Sequence, residues 1–141
     1  MNPSFRVLVV DDNIHVRRVV TEAVREIFPS ALIDETGNAE EALQKCLSDA
    51  WDFVVLDISL PKLSGLDVLP QIKQHRPDIH VVILSLHEEP DYVFQCLEFG
   101  ASGYLGKDTL ADDIGPAMQA VLKGDNYISP KIAAGLPRHS G

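Results

Sequence analysis

Five residues with reactive side chains sit at the ends of apolar runs. Asp11 and Asp12 follow "FRVLVV" (5–10), Asp57 follows "FVVL" (53–56), Ser85 closes "HVVILS" (80–85), and Lys107 follows "GYLG" (103–106). Three carboxylates gathered in one place repel one another unless a cation sits among them, and hard oxygen ligands of this kind favour Mg2+. Such an ion usually assists the transfer of an oxyanion rather than redox work. A lysine at the same rim can neutralise a transferred phosphoryl group, and a serine hydroxyl can hydrogen-bond one of its oxygens. Asp57 can itself be the nucleophile and form an aspartyl phosphate. Each acid also has a plainer reading. "DD" before Asn13 suits a helix N-terminus favoured by the macrodipole, and Asp57 can be a cap or turn residue. The agreement of all five positions, from four separated segments, is what favours chemistry.

That agreement requires elements which bring the run ends together. Five apolar runs recur, the fourth and fifth strand ends joining those at 5–10, "ALIDE" (31–35) and 53–56. Three are nearly continuous in Val, Ile and Leu, as strands covered on both faces of a parallel sheet are. Helical patterns lie between them. "IHVRRVVTEAVREIF" (14–28) stripes Val16, Val19, Val20, Ala23, Val24 and Ile27 on one side. "NAEEALQKCLS" (38–48) opens on an Asn cap. "LDVLPQIKQH" (66–75) contains Pro70, which removes a backbone hydrogen bond. "EPDYVFQCLEFG" (89–100) ends on Gly100, and "TLADDIGPAMQAVLKG" (109–124) opens on a Thr109 cap. Strand and helix alternating five times predict a doubly wound α/β sheet. Ligands of such sheets bind beyond the carboxyl ends of the strands. The tail "NYISPKIAAGLPRHSG" (126–141) loses the alternation and gains Pro and Gly, and it reads as a linker or fraying end.

Composition narrows the partners. The 141 residues suit one domain able to bury a core unaided, with 45% apolar and 23% charged side chains. Twelve basic against 21 acidic residues give a net charge of −9, which argues against gripping nucleic acid by electrostatics alone. Cys46 and Cys96 have no metal-type spacing and read as buried thiols. No window approaches the ~18 apolar residues of a membrane span, and no signal peptide is evident, so a cytoplasmic location is expected.

Two rival chemistries use similar architecture. A nucleotide-binding Rossmann or P-loop domain needs glycines after its first strand, and "VVDDNIH" has none. A haloacid-dehalogenase-type phosphatase also has a strand-end Asp nucleophile, but it carries a second Asp two residues later as general acid. Position 59 here is Ser. Storage of a phosphoryl group on Asp57 therefore fits better than rapid turnover.

Over residues 5 to 124 the sequence resembles the receiver domain of two-component response regulators, the CheY-like family. "VLVVDDN" resembles its acid pair, "VVLDISLPKLSGLD" its phosphoacceptor loop, "VVILSLH" its switch hydroxyl, and "GASGYLGKD" its switch aromatic and lysine. The resemblance implies a flavodoxin-like (βα)5 fold with a five-stranded parallel sheet in the order 2-1-3-4-5. It implies Asp57 as phosphoacceptor, Mg2+ bound by Asp11, Asp12, Asp57 and the Ser59 carbonyl, and a loop shaped by Pro61 and Gly65. Ser85 and Lys107 would bind the phosphoryl group, with Ser85 and Tyr104 as the switch pair and Tyr104 drawn inward. "EFGASGYLGKD" and "AVLKGDNYISP" resemble the NarL/FixJ-like (LuxR-type) subgroup. Residues 1–124 would then be the receiver domain and 125–141 a linker or C-terminal tail, with a helix-turn-helix DNA-binding domain absent from the sequence. The implied partners are a sensor histidine kinase and a second copy of the chain on phosphorylation, with DNA reached only through the absent domain and no membrane contact. The chain would not be an enzyme beyond slow self-catalysed phosphotransfer and dephosphorylation. Competing outputs are a stand-alone receiver acting by protein contacts and, in the enzyme class, the phosphatase. The family often has Pro after the lysine, where this sequence has Asp108, so a trans bond is expected. Leu86, bulky for its place, is expected to shield an acyl phosphate, and His87 beside it reads as a solvated loop residue.

Overall fold

The computed structural model describes residues 5–60, 63–87 and 89–137. Runs with β-branched residues form the strands β1 (Arg6–Val10), β2 (Leu32–Thr36), β3 (Phe53–Asp57) and β4 (His80–Ser85), and the short run "GYLG" forms β5 (Gly103–Gly106). Between them lie α1 (Ile14–Ile27), α2 (Ala39–Ser48), α3 (Gly65–His75) and α4 (Pro90–Glu98). A single 3-10 turn (Lys107–Thr109) leads into α5 (Leu110–Leu122). These strands are all parallel, in the order β2-β1-β3-β4-β5.

The expected five strands stand in the expected order, and a short sixth strand extends the sheet beyond β5. β6 (Tyr127–Ile128) pairs Gly103 with Tyr127 and Tyr104 with Ile128, and α6 (Pro130–Ala134) follows it. The segment read as a linker or fraying end is thus docked as far as α6, and Ser129 and Ile132 are buried. Its short apolar pattern, Tyr127, Ile128 and Ile132, has no periodicity of its own and gains meaning only against the edge of β5.

The side-chain period of two divides the strands between two cores. Leu8, Val10, Val54, Leu56, Val81, Ile83 and Tyr104 face α2, α3, α4 and α6. Val7, Val9, Phe53, Val55, Val82, Leu84 and Leu105 face α1 and α5. Each fully buried side chain of this size contributes roughly 1.5–3 kcal/mol. This double burial fixes where each strand ends, and so where the strand-end polar residues stand. Helix α3 runs through Pro70 unbroken. Its start is secured by a capping box between Ser64 and Asp67, and Val68, Leu69 and Ile72 bury its inner face. Thr109 precedes α5 but does not cap it; its hydroxyl donates to Asp113 instead. No peptide bond among the described residues is cis. Cys46 and Cys96 are buried free thiols, and burial pushes both up to about 12.

The opposite, amino-terminal edge of the sheet carries a pH-sensitive group. His80 packs against Phe53, with ring centroids 5.5 Å apart. Burial, then the nearby Lys73 ammonium, hold its pKa below the ordinary 6.5 despite the opposing pull of Asp52 and Asp78. The folded chain therefore binds this proton less readily than the unfolded chain. The contribution is present above pH ~6.5 and is lost as pH falls towards the lower folded value. Thermal melts at pH 7.5 and 5.5 should show a smaller acid-induced drop for His80→Gln than for the wild type. Equal drops would show that His80 is not the responsible group.

Candidate functional site

Each acid of the site divides its two oxygens between tasks. Asp11 ends buried just beyond β1, where its Oδ1 accepts the Asn13 N–H at 2.9 Å. Asp57 closes β3 with no exposed surface, and its Oδ1 accepts the Ser59 N–H at 2.9 Å. The turn reading of Asp57 therefore describes one of its two oxygens. The second oxygens converge. Lys107 Nζ lies 3.0 Å from Asp11 Oδ2 and 3.1 Å from Asp57 Oδ2. Both oxygens are buried and lack a well-directed hydrogen bond, so the lysine meets them as an ion pair at close range. Asn13 caps α1, its Oδ1 accepting the His15 N–H at 2.8 Å, so the two acids stand directly before the helix N-terminus.

Register explains the convergence. Val10 pairs with Leu56 and Asp57 with Leu84, so the parallel strands of this region end at nearly the same height. Ser85 pairs with Gly106, the residue before Lys107. The 3-10 turn after Gly106 then brings Lys107 back across the strand ends. Gly65, at the start of α3, makes the tight return of the β3 loop possible. A Cβ there would stand 2.6 Å from the Asp57 carbonyl oxygen and 2.8 Å from Ile58 Cα. Pro61, expected to shape the same loop, lies outside the described residues.

Burial and charge oppose each other here. Burial raises the Asp11 pKa above the usual carboxylate value, and the Asn13 N–H and Lys107 only partly counter it. For Lys107, burial is the largest single influence and disfavours the ammonium. The combined attraction of Asp11 and Asp57 exceeds it, so its pKa is raised and it stays charged.

The donor set fits a hard divalent cation. Asp12 is exposed, yet one of its carboxylate oxygens lies within 4.8 Å of oxygens of Asp11 and Asp57. Three carboxylates face one ammonium, which leaves excess negative charge. Two of the buried oxygens still lack directed donors. A small cation with oxygen preference would satisfy both conditions.

The remaining expected residues sit nearby with other partners. Ser85 is buried, and its Oγ accepts the His87 N–H at 2.8 Å. Tyr104 is fully buried, with its hydroxyl donating to the His87 carbonyl at 2.7 Å. Burial pushes the phenol up to about 12. The expected inward movement of Tyr104 has no outward starting point in this structure. His87 stacks on Tyr92, with centroids 4.7 Å apart, and is more than a solvated loop residue. Leu86, expected as a shield, is instead 76% exposed. Arg17 was not singled out from sequence. Its Nη1 donates to the Asp11 carbonyl at 2.7 Å and its Nε to Glu35 at 3.1 Å, bracing the loop that carries both acids. On a helix whose charges all lie opposite the apolar stripe, nothing local distinguished it.

A parallel doubly wound sheet with carboxylates and a lysine gathered at the carboxyl ends of its strands defines a flavodoxin-like domain. Residues 7–119 match the response regulator receiver domain, and the chain belongs to that family, the receiver part of two-component response regulators. It is 34% identical over 131 residues to response regulator GacA of Pseudomonas viridiflava, covering 93% of this chain and 61% of that one. It is 30% identical over 127 residues to response regulator UvrY of Escherichia coli K12, covering 90% and 58%. A two-component response regulator of the LuxR family from Aurantimonas sp. SI85-9A1 superimposes with a TM-score of 0.80 at 29% identity, over 94% of both chains. The isolated receiver domain of RcsB from Salmonella enterica serovar Typhimurium, at 18% identity, shares the fold with a TM-score of 0.86, over 96% and 100% of the two chains. The chain spans about three fifths of the length of the curated relatives it matches. Family membership sets the phosphatase alternative aside. Among the described residues, no helix is long and apolar enough to cross a membrane.

Proposed function

We propose that this receiver takes a phosphoryl group on Asp57 from a phosphohistidine of a sensor kinase. The observation that carries the reading is the single ammonium of Lys107 within 3.1 Å of the free oxygens of both buried acids. The Asp57 carboxylate attacks phosphorus, the phosphorus–nitrogen bond to the donor imidazole breaks, and the ring nitrogen keeps the electron pair. With a proton carried on the other ring nitrogen of the donor, an aspartyl phosphate and a neutral imidazole result. Mg2+, held by Asp11, Asp12, Asp57 and the Ser59 carbonyl, would supply positive charge to the entering phosphoryl oxygens. The Ser59 N–H fixes the Asp57 rotamer and leaves Oδ2 as the attacking atom. Lys107 turns from Asp11 towards the new charge, and the Ser85 hydroxyl, released from His87, donates to a phosphoryl oxygen. That exchange loosens the turn at His87, to which Tyr104 is also bonded, and so reaches α4.

The output we propose is transcriptional control, through a DNA-binding domain outside the aligned region and through dimerisation on phosphorylation. The LuxR-family neighbour at 29% identity supports that class. Incubation with a small-molecule phosphodonor and Mg2+ should attach about one phosphoryl group per chain, and chelation of the metal should suppress it. Labelling that survives chelation unchanged would refute the metal's part, and no labelling at all would refute the reading.

A further inference from the structure

Outside the acid site, one buried carboxylate gathers three hydroxyls. Asp113 lies in the apolar stripe of α5 at 5% exposure. It accepts Thr109 Oγ1 at 2.6 Å, Ser129 Oγ at 2.7 Å and the Tyr127 hydroxyl at 3.0 Å. Ser129, wholly buried, accepts the Gly106 N–H at 3.0 Å through the same Oγ. Gly106 is the residue before Lys107. On the other side of Lys107, Asp108 pairs with Lys131 of α6. Both neighbours of the lysine are therefore tied to one segment, Tyr127 to Ala134. That segment is seated by Ile132, which packs into the same core as Tyr104.

The two ties differ in weight. Asp108 and Lys131 are each about half exposed, and such pairs hold little. The Ser129 contact is buried, and its loss would leave the Gly106 N–H without a partner.

We infer that Ser129 and Asp113 are positioning residues for Lys107, and that docking of the Tyr127–Ala134 segment and phosphoryl binding at Asp57 favour each other. This rests on the phosphoryl-acceptor reading above. The turn conformation that docks the segment is the one that aims Nζ at Asp57, 3.1 Å away. A phosphoryl group on Asp57 adds negative charge and favours that aim. By linkage it must favour docking by the same factor. The segment is also where the chain leaves the sheet, so a mark at Asp57 would be felt there without passing through Ser85 or Tyr104.

Beryllofluoride with Mg2+, a stable stand-in for a phosphoryl group on a carboxylate, tests this on the full 141-residue chain. The amides of Tyr127 and Ser129 report docking, since they donate to the carbonyls of Ser102 and Tyr104. In the wild type the probe should slow their hydrogen exchange about fivefold. Ser129→Ala should remove that slowing and weaken probe binding about fivefold, while Ser129→Thr, which keeps the hydroxyl, should stay within about twofold of the wild type. A merely structural role would speed exchange in Ser129→Ala and leave probe affinity unchanged, and that result overturns the inference. If Ser129→Ala does not fold, the wild-type exchange decides alone. Probe binding with no response at Tyr127 and Ser129 overturns the coupling only. No probe binding by the wild type overturns the phosphoryl reading, and the coupling with it.

Discussion

Asp57→Asn is expected to cut phosphoryl incorporation from a small-molecule donor by at least about a hundredfold, at ~1.4 kcal/mol of barrier for each factor of ten. The variant should remain folded. An Asn side chain keeps the oxygen that accepts the Ser59 N–H at 2.9 Å, so the turn after β3 survives. What it loses is the second anionic oxygen, now beside Lys107. A neutral amide there is neither a nucleophile for phosphorus nor a ligand of comparable strength for a divalent ion. The lysine keeps Asp11 at 3.0 Å, which preserves the local fold while removing the chemistry. Mass spectrometry of intact chains after incubation with donor and Mg2+ reads the result directly. Full labelling of the variant would move the acceptor elsewhere, with Asp11 and Asp12 the first residues to test.

The second large effect is on stability. Gly65→Ala should destabilise the chain by about 1–3 kcal/mol or more, the cost of forcing atoms into a packed interior. The reason is contact with main chain, not backbone conformation. The added methyl would stand 2.6 Å from the Asp57 carbonyl oxygen and 2.8 Å from Ile58 Cα, main-chain atoms at the end of β3 that cannot turn aside as a side chain could. Separation of α3 from β3 would also move the Gly65 N–H away from the Ile58 carbonyl, now 2.9 Å distant. Because the strained atoms belong to Asp57 and its neighbour, metal-dependent labelling should fall along with the melting temperature. Denaturant titration gives the free energy. A loss smaller than ~0.5 kcal/mol, the scale of ordinary surface changes, would mean that the loop relaxes freely.

The two substitutions separate the site's components. Asp57 supplies the reacting oxygen, while Gly65 supplies the space that lets the loop return beneath it. The first change should spare the fold and end the labelling, and the second should weaken both.

The alternation of strand and helix patterns was enough to define five strands, their intervening helices and the parallel sheet, because burial on both faces leaves continuous apolar runs in β1, β3 and β4 and the other two strands take their places from the repeat. It also placed Asp11, Asp12, Asp57, Ser85 and Lys107 at strand ends, since a polar residue directly after a buried run can stand nowhere else. Local sequence could not say how each carboxylate divides its oxygens. That depended on the turn each strand enters, which gives Oδ1 to Asn13 or Ser59 and Oδ2 to Lys107. Nor could it find Arg17, whose contact with the Asp11 carbonyl exists only because α1 packs back over the end of β1. The stretch from Tyr127 to Ala134 shows the same limit. Its residues have too short a pattern to announce a strand, and their place was decided by the open edge of β5 and by an acid, Asp113, buried sixteen residues before Ser129. Periodicity is a property of a segment and can be read from one. Partners are a property of two segments, and only the folded chain brings them together.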